Sequence, residues 1–179
     1  MMRPRAWTRT LIVAASAALA AACARPATPA PSAARPSGAA GQATADSAVR
    51  ITLERGPCFG TCPVYSVTLD GSGAVLFEGR RFVADTGIST GRVPPARIDS
   101  LVAALTAGGY FDFADRYTAG EPGCERYATD LPSVITEVRA GGRTKRVEHD
   151  HGCMEAPQAL TALEGRIDSV AGVAGWIRR

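Results

Sequence analysis

The sequence predicts an α+β domain: an antiparallel sheet of about five to six strands with two helices packed on one face. Three observations predict it. Short segments of alternating polarity are separated by glycine-bearing turns of hairpin length. Two longer stretches carry apolar residues at helical spacing. Their order is strands, helix, strands, helix. Hairpin links favour antiparallel pairing, and two apolar helix stripes need a sheet face to cover.

The elements follow in chain order. In "VRITLER", 49–55, Ile51 and Leu53 point one way and Arg50, Thr52 and Glu54 the other, the pattern of a half-buried strand. "PVYSVTLD" places Tyr65, Val67 and Leu69 on one face, "DGSG" at 70–73 turns the chain, and "AVLFEGR" returns it. "RFVADTGIST" reads as a further strand weakened by Gly87. Pro94 and Pro95 suit a helix start, and Ile98, Leu101, Val102 and Leu105 form an amphipathic stripe that Gly108 and Gly109 end. "YFDFADRY" is aromatic enough to pack under the sheet. "SVITEVRA" and "RTKRVEHDH" flank Gly141-Gly142, a two-residue hairpin that needs positive φ. Pro157 opens a last helix carrying Leu160, Leu163, Ile167 and Val170, with Trp176 near its end. "RIDSL" at 97–101 recurs as "RIDSV" at 166–170, and with no wider repeat it reads as coincidence between two amphipathic helices.

What precedes residue 49 has the character of targeting and tether. Residues 1–22 read as a signal peptide: Arg3, Arg5 and Arg9 lead an apolar run from Leu11 to Ala22 that is shorter than the ~20 residues a membrane span needs. "ALAAAC" resembles a bacterial lipobox, which makes Cys23 the expected lipidated residue and the membrane the expected partner through that lipid. The motif departs from the usual form, with Leu at the fourth position before the cysteine and Ala20 at the third. Cleavage without lipidation is the alternative. Ala24 follows, with no Asp to retain a lipoprotein at the inner membrane, so the expected site is the outer membrane facing the periplasm. Residues 23–48 are rich in Ala, Pro and Ser and too poor in large apolar residues to fold, a tether reaching about 25–30 Å. One domain, 49–179, remains. Three of the 20 basic residues belong to the leader, so the rest of the chain balances its 17 acidic residues. That balance removes the case for a nucleic-acid partner.

Taken together, "RGPCFGTCPVYSVTLDGSGAVLFEG", "YFDFADRY", "TDLPSVITEVRAGGRTKRVEHDHGC" and "APQALTALEGRID" resemble a family of bacterial envelope proteins classed as a domain of unknown function. Its mark is a Cys-Phe-Gly-x-Cys-Pro-x-Tyr segment. The resemblance covers about 50–178 and implies one exported α+β domain. It supplies no catalytic residues and no cofactor.

Four cysteines remain beside Cys23: Cys58, Cys62, Cys124 and Cys153. In an oxidising compartment an even number reads as disulfides. The favoured pairing is Cys58–Cys62, closed by a tight turn through Gly60, with Cys124–Cys153 straddling the second hairpin. The two crossed pairings stay open. A C-x₃-C before proline is also similar to the copper segment of thioredoxin-fold copper chaperones, but there the second cysteine leads into a helix, and here a strand pattern follows. "HDHGC" puts His149 and His151 on one strand face, and with Cys153 they make a conceivable metal set. The plainer reading has them lining the sheet and donating to backbone carbonyls, with no metal.

Asp130, in "TDLP", is a candidate binding carboxylate or a loop residue bonding a nearby backbone N–H. Arg55 and Tyr65, flanking the cysteine turn, are candidate ligand contacts, or else a surface ion pair and core packing. No nucleophile elbow, P-loop or dinucleotide fingerprint occurs. The expected function is therefore a non-enzymatic binding or structural domain of the envelope that engages an unidentified envelope protein or ligand. The alternative is a thiol-redox or metal-handling protein using the C-x₃-C pair.

Overall fold

Residues 49–178 are described by the computed structural model. The leader, Cys23 and the tether expected over 1–48 lie outside the described residues. Alternation builds the sheet as expected. β1 (Arg50–Arg55) buries Ile51 and Leu53, β2 (Val64–Asp70) buries Tyr65, Val67 and Leu69, and β3 (Ala74–Arg81) buries Val75 and Phe77. β4 (Gly87–Arg92) pairs with β3 at the sheet edge. β6 (Ser133–Ala140) and β7 (Arg143–Asp150) form the second hairpin, with Gly141 and Gly142 at φ +57° and +73°. In the first hairpin the Asp70 carboxylate accepts from the backbone N–H of Ser72 at 2.8 Å and of Ala74 at 3.1 Å.

Among the described residues the sheet has seven strands, more than the five to six expected; β5 (Arg116–Tyr117) ends the order β4-β3-β2-β1-β6-β7-β5. The addition is β5, two residues running parallel to β7 while every other pairing is antiparallel. No hairpin leads into β5. It follows a 3₁₀ turn (Tyr110–Asp112) that tucks the aromatic segment beneath the sheet, and so short a strand has no alternation to read. The strand expected over 81–90 also begins late, at Gly87, because 82–86 form a loop.

α1 (Pro95–Ala107) and α2 (Gln158–Ala171) start after Pro94 and Pro157 and cover one face of the sheet. Ile98, Leu101 and Leu105 from α1 join Leu160, Leu163 and Ile167 from α2 over Ile51, Leu53, Val67, Phe77 and Val138 in one core. A third, four-residue helix, α3 (Ala174–Ile177), stacks Trp176 on Phe77 with ring centroids 4.9 Å apart. Among the described residues no helix is long and apolar enough to cross a membrane.

The two ends of the sheet differ. At one end lie both tight hairpins and the entry of the chain, where Gly71 N–H bonds the Val49 carbonyl at 3.1 Å. At the other end β1 and β7 finish, β2 and β6 begin, and the cysteines gather.

Candidate functional site

Two features occupy that second end: a knot of loops outside the sheet, and a row of polar side chains between the sheet and α2. The knot starts at "CFGTCP". Cys58 and Cys62 form a disulfide with Cα atoms 5.8 Å apart, and Cys124 pairs with Cys153 at 5.2 Å. Both separations suit the bond, and the crossed pairings are not formed. Gly60, at φ +148°, takes the backbone state that closes the small ring. Gly56 N–H donates to the Ser133 carbonyl at 2.8 Å and Phe59 N–H to the Asp130 carbonyl at 3.1 Å. The ring is thus clamped against the 126–132 loop, while the Phe59 side chain stands 88% exposed at its tip.

The same loop is fastened on its other side. Ala128 N–H donates to the Gly152 carbonyl at 2.9 Å, and Met154 N–H to the Arg126 carbonyl at 3.1 Å. A Cβ on Gly152 would collide with the Ala128 carbonyl oxygen, so this approach requires glycine. The Tyr127 hydroxyl reaches Asp150, and Arg126 pairs with Glu155 at 2.6 Å. Tyr127, Leu131 and Met154 are exposed on the knot. Phe82, held at φ +56° just after β3, adds another exposed aromatic at this end.

The polar row follows from strand register. Tyr65 opposes Arg55, Arg55 opposes Val134, Val134 opposes His149, and His149 opposes Tyr117. α2 crosses above this row with Glu164 and Asp168, one helical turn apart. Arg55 donates to Asp168 from Nε at 2.8 Å and from Nη2 at 2.6 Å, and the Tyr65 hydroxyl donates to Asp168 at 2.9 Å. Burial works against the Arg55 charge, but Asp168 outweighs it and the guanidinium value is raised. On Asp168 burial wins, and the carboxyl is pushed up although Arg55 pulls it down. The Arg55 charge is thus favoured and the Asp168 charge disfavoured, the mixed outcome of an ion pair taken out of water, and the pair is read as fixing position. Burial also pushes the Tyr65 phenol well up, with the Asp168 charge adding to it.

Glu164 is 1% exposed, in line with Leu160 and Ile167. His149 Nδ1 lies 2.8 Å from one carboxylate oxygen and His151 Nε2 3.0 Å from the other. Burial opposes the Glu164 charge, yet the two imidazole hydrogen bonds outweigh it and hold the carboxyl below its ordinary range. The imidazoles stack with centroids 4.4 Å apart.

The structure therefore brings Arg55 together with Tyr65, and His149 with His151. Arg55 is not a surface ion pair, since it shares the core face with Ile51 and Leu53. The histidines meet a carboxylate, not backbone carbonyls. Cys153, tied to Cys124, is no ligand. Asp130 stands apart, in the left-handed region at φ +73°, a state Asp tolerates. Its carboxylate accepts from the Thr129 hydroxyl at 3.1 Å, and its role at the clamp is through its backbone carbonyl. Sequence reasoning missed Glu164 and Asp168. The signal was there: counting in fours from Leu160 places both acids on the apolar stripe of α2. Asp99, in the α1 copy of "RIDS", is exposed and has no such role.

A broad open depression of about 730 Å³ lies on the opposite, uncovered sheet face, lined by Arg50, Thr68, Asp70, Leu76, Thr90 and Arg92. Its carboxylate is committed to the hairpin turn and its Arg92 reaches the Ser72 carbonyl at 3.3 Å, so it assembles no reacting group.

A family model described as a domain of unknown function, DUF6438, matches residues 49–171. No curated protein matches the chain.

Proposed function

The chain belongs to the DUF6438 family of domains of unknown function, and from that premise we propose that it is an exported, lipid-anchored, non-enzymatic module that docks an apolar surface of another cell-envelope protein. The observation that carries this reading is Phe59, 88% exposed at the tip of a disulfide-closed turn. An exposed aromatic on a flexible loop would lose conformational freedom on binding. One on a closed ring, pinned to Asp130 and Ser133, has already lost it, which is how a rigid aromatic anchor gains affinity. Tyr127, Leu131 and Met154, exposed on the loops clamped to this turn, would extend the contact.

Position supports the same reading. The chain enters the domain at the hairpin end, so the apolar end faces away from the entry point. A lipid on Cys23 and a tether over 24–48 would leave this end free to reach outward. Thiol-redox chemistry gains no support from the context, because Cys62 leads through Pro63 into a strand. A helix N-terminus, which lowers a thiol pKa, is absent there.

The reading is tested in cells. A photo-crosslinking phenylalanine analogue placed at position 59 is expected to give one discrete adduct with an envelope protein, and the same analogue at exposed position 144, near the hairpin end, none. Labelling with a radioactive fatty acid is expected to be lost in Cys23→Ser. Lipid adducts alone from position 59, or equal adducts from both positions, would overturn the docking reading. Label retained by Cys23→Ser would overturn the anchor.

A further inference from the structure

We infer that His149, His151 and Glu164 form a binding site for one divalent transition-metal ion of the Zn²⁺ class. Among the described residues this is the group of histidine and carboxylate side chains whose donor atoms converge, all within 4.8 Å of one another. One strand position, His149, one position just past the strand end, His151, and one helix position, Glu164, supply it. Tetrahedral zinc, with bonds of about 2.0–2.1 Å, sets its ligand atoms roughly 3.3–3.4 Å apart. The two histidine–carboxylate contacts, at 2.8 and 3.0 Å, need only open by a few tenths of an ångström. The wider separations close by rotation of His151, which lies just past β7 and keeps 24% of its side chain exposed.

The donor chemistry selects the ion. Two imidazoles and one carboxylate suit Zn²⁺, Cu²⁺ or Ni²⁺, whereas Ca²⁺ and Mg²⁺ want oxygen ligands throughout. The frame is preorganised. The Tyr117 ring meets His149 edge-on at 6.3 Å, and the Cys124–Cys153 bridge fixes the turn two residues after His151. Glu164 stands where the helix stripe calls for an aliphatic residue, and a carboxylate there is costly without compensation. Two imidazoles compensate by hydrogen bonding, and the same donor set can compensate by sharing a cation. On binding, a neutral ring that donated toward Glu164 carries its proton on the other nitrogen instead, so the ion replaces hydrogen bonds and no redox step is involved. A water would complete the fourth position.

The test uses the purified mature chain with both disulfides oxidised, stripped by a chelator and titrated with Co²⁺ followed by visible absorption, then with Zn²⁺. The expected result is one Co²⁺ per chain with tetrahedral-type bands, displaced by Zn²⁺ and untouched by excess Mg²⁺. His151→Asn, at the partly exposed ligand, is expected to weaken binding at least about tenfold while its metal-free melting temperature stays near the parent's. Glu164→Gln is expected to abolish the bands. No stoichiometric Co²⁺ in the parent protein, or binding unchanged in His151→Asn, would show a hydrogen-bonded core cluster only and overturn the inference.

Discussion

Replacing Asp168 with Ala tests whether α2 is locked to the sheet by its polar row. The substitution leaves the Arg55 guanidinium and the Tyr65 hydroxyl without the oxygens that accept their three hydrogen bonds, at 2.6, 2.8 and 2.9 Å. Breaking a fully buried pair from one side costs about 3–5 kcal/mol, because the remaining charge stays out of water. Here each side chain keeps 20% of its surface exposed, so water reaches Arg55 in part and the expected loss falls to roughly 2–3 kcal/mol. For a domain of this size that lowers Tm by roughly 6–12 °C. Replacing all three members with apolar residues, Arg55→Met, Tyr65→Phe and Asp168→Leu, should come within ~1 kcal/mol of the parent, since no buried charge or hydroxyl is then left unpaired. Urea unfolding with both disulfides oxidised, run as a double-mutant cycle on Arg55 and Asp168, reads the coupling directly. A single-mutant cost below about 0.5 kcal/mol, or strictly additive effects, would refute the locking role.

Two further outcomes are expected. Glu164 is held below its ordinary value of 4.5, so the folded state favours its charged form. Its stabilising contribution is complete above pH ~4.5 and disappears as pH falls through the lower folded value. Thermal melts across pH 3–6 should show this acid limb flattened in Glu164→Gln. Opening the long disulfide with Cys124→Ser and Cys153→Ser should cost about 3–4 kcal/mol, and opening Cys58–Cys62 only about 2, because the stabilisation grows with the enclosed loop. Denaturant titration of the two double variants should give that order, and the reverse order would contradict it.

Most of the sheet was legible because alternation survives in single strands. Ile51 and Leu53, or Tyr65, Val67 and Leu69, declare their face without reference to partners. Both hairpins were legible through Asp70–Gly73 and Gly141–Gly142, whose chemistry is local. β5 was not, because two residues have no period and its parallel pairing with β7 depends on where the 3₁₀ turn delivers the chain. The disulfide pairing could be favoured from loop geometry, but choosing among three pairings needed the fold. The polar row was half legible. Arg55, Tyr65, His149 and His151 stood out as chemistry near the cysteines, yet their partners lie far along the chain on α2. Glu164 and Asp168 resembled ordinary helix-surface acids until the stripe through Leu160 and Ile167 was placed against the sheet. Asp130 drew attention by its carboxylate, whereas its structural contribution comes from its backbone carbonyl.

If the disulfide-closed turn presents Phe59 as a rigid anchor, closing the ring must matter to docking. The direct measurement is the yield of the in-cell crosslink from position 59 with the ring closed and with it opened by Cys58→Ser and Cys62→Ser. A discrete protein adduct is expected from the closed ring, with a loss of about tenfold or more on opening, as preorganisation is given up. An adduct of equal yield from the open loop would contradict it.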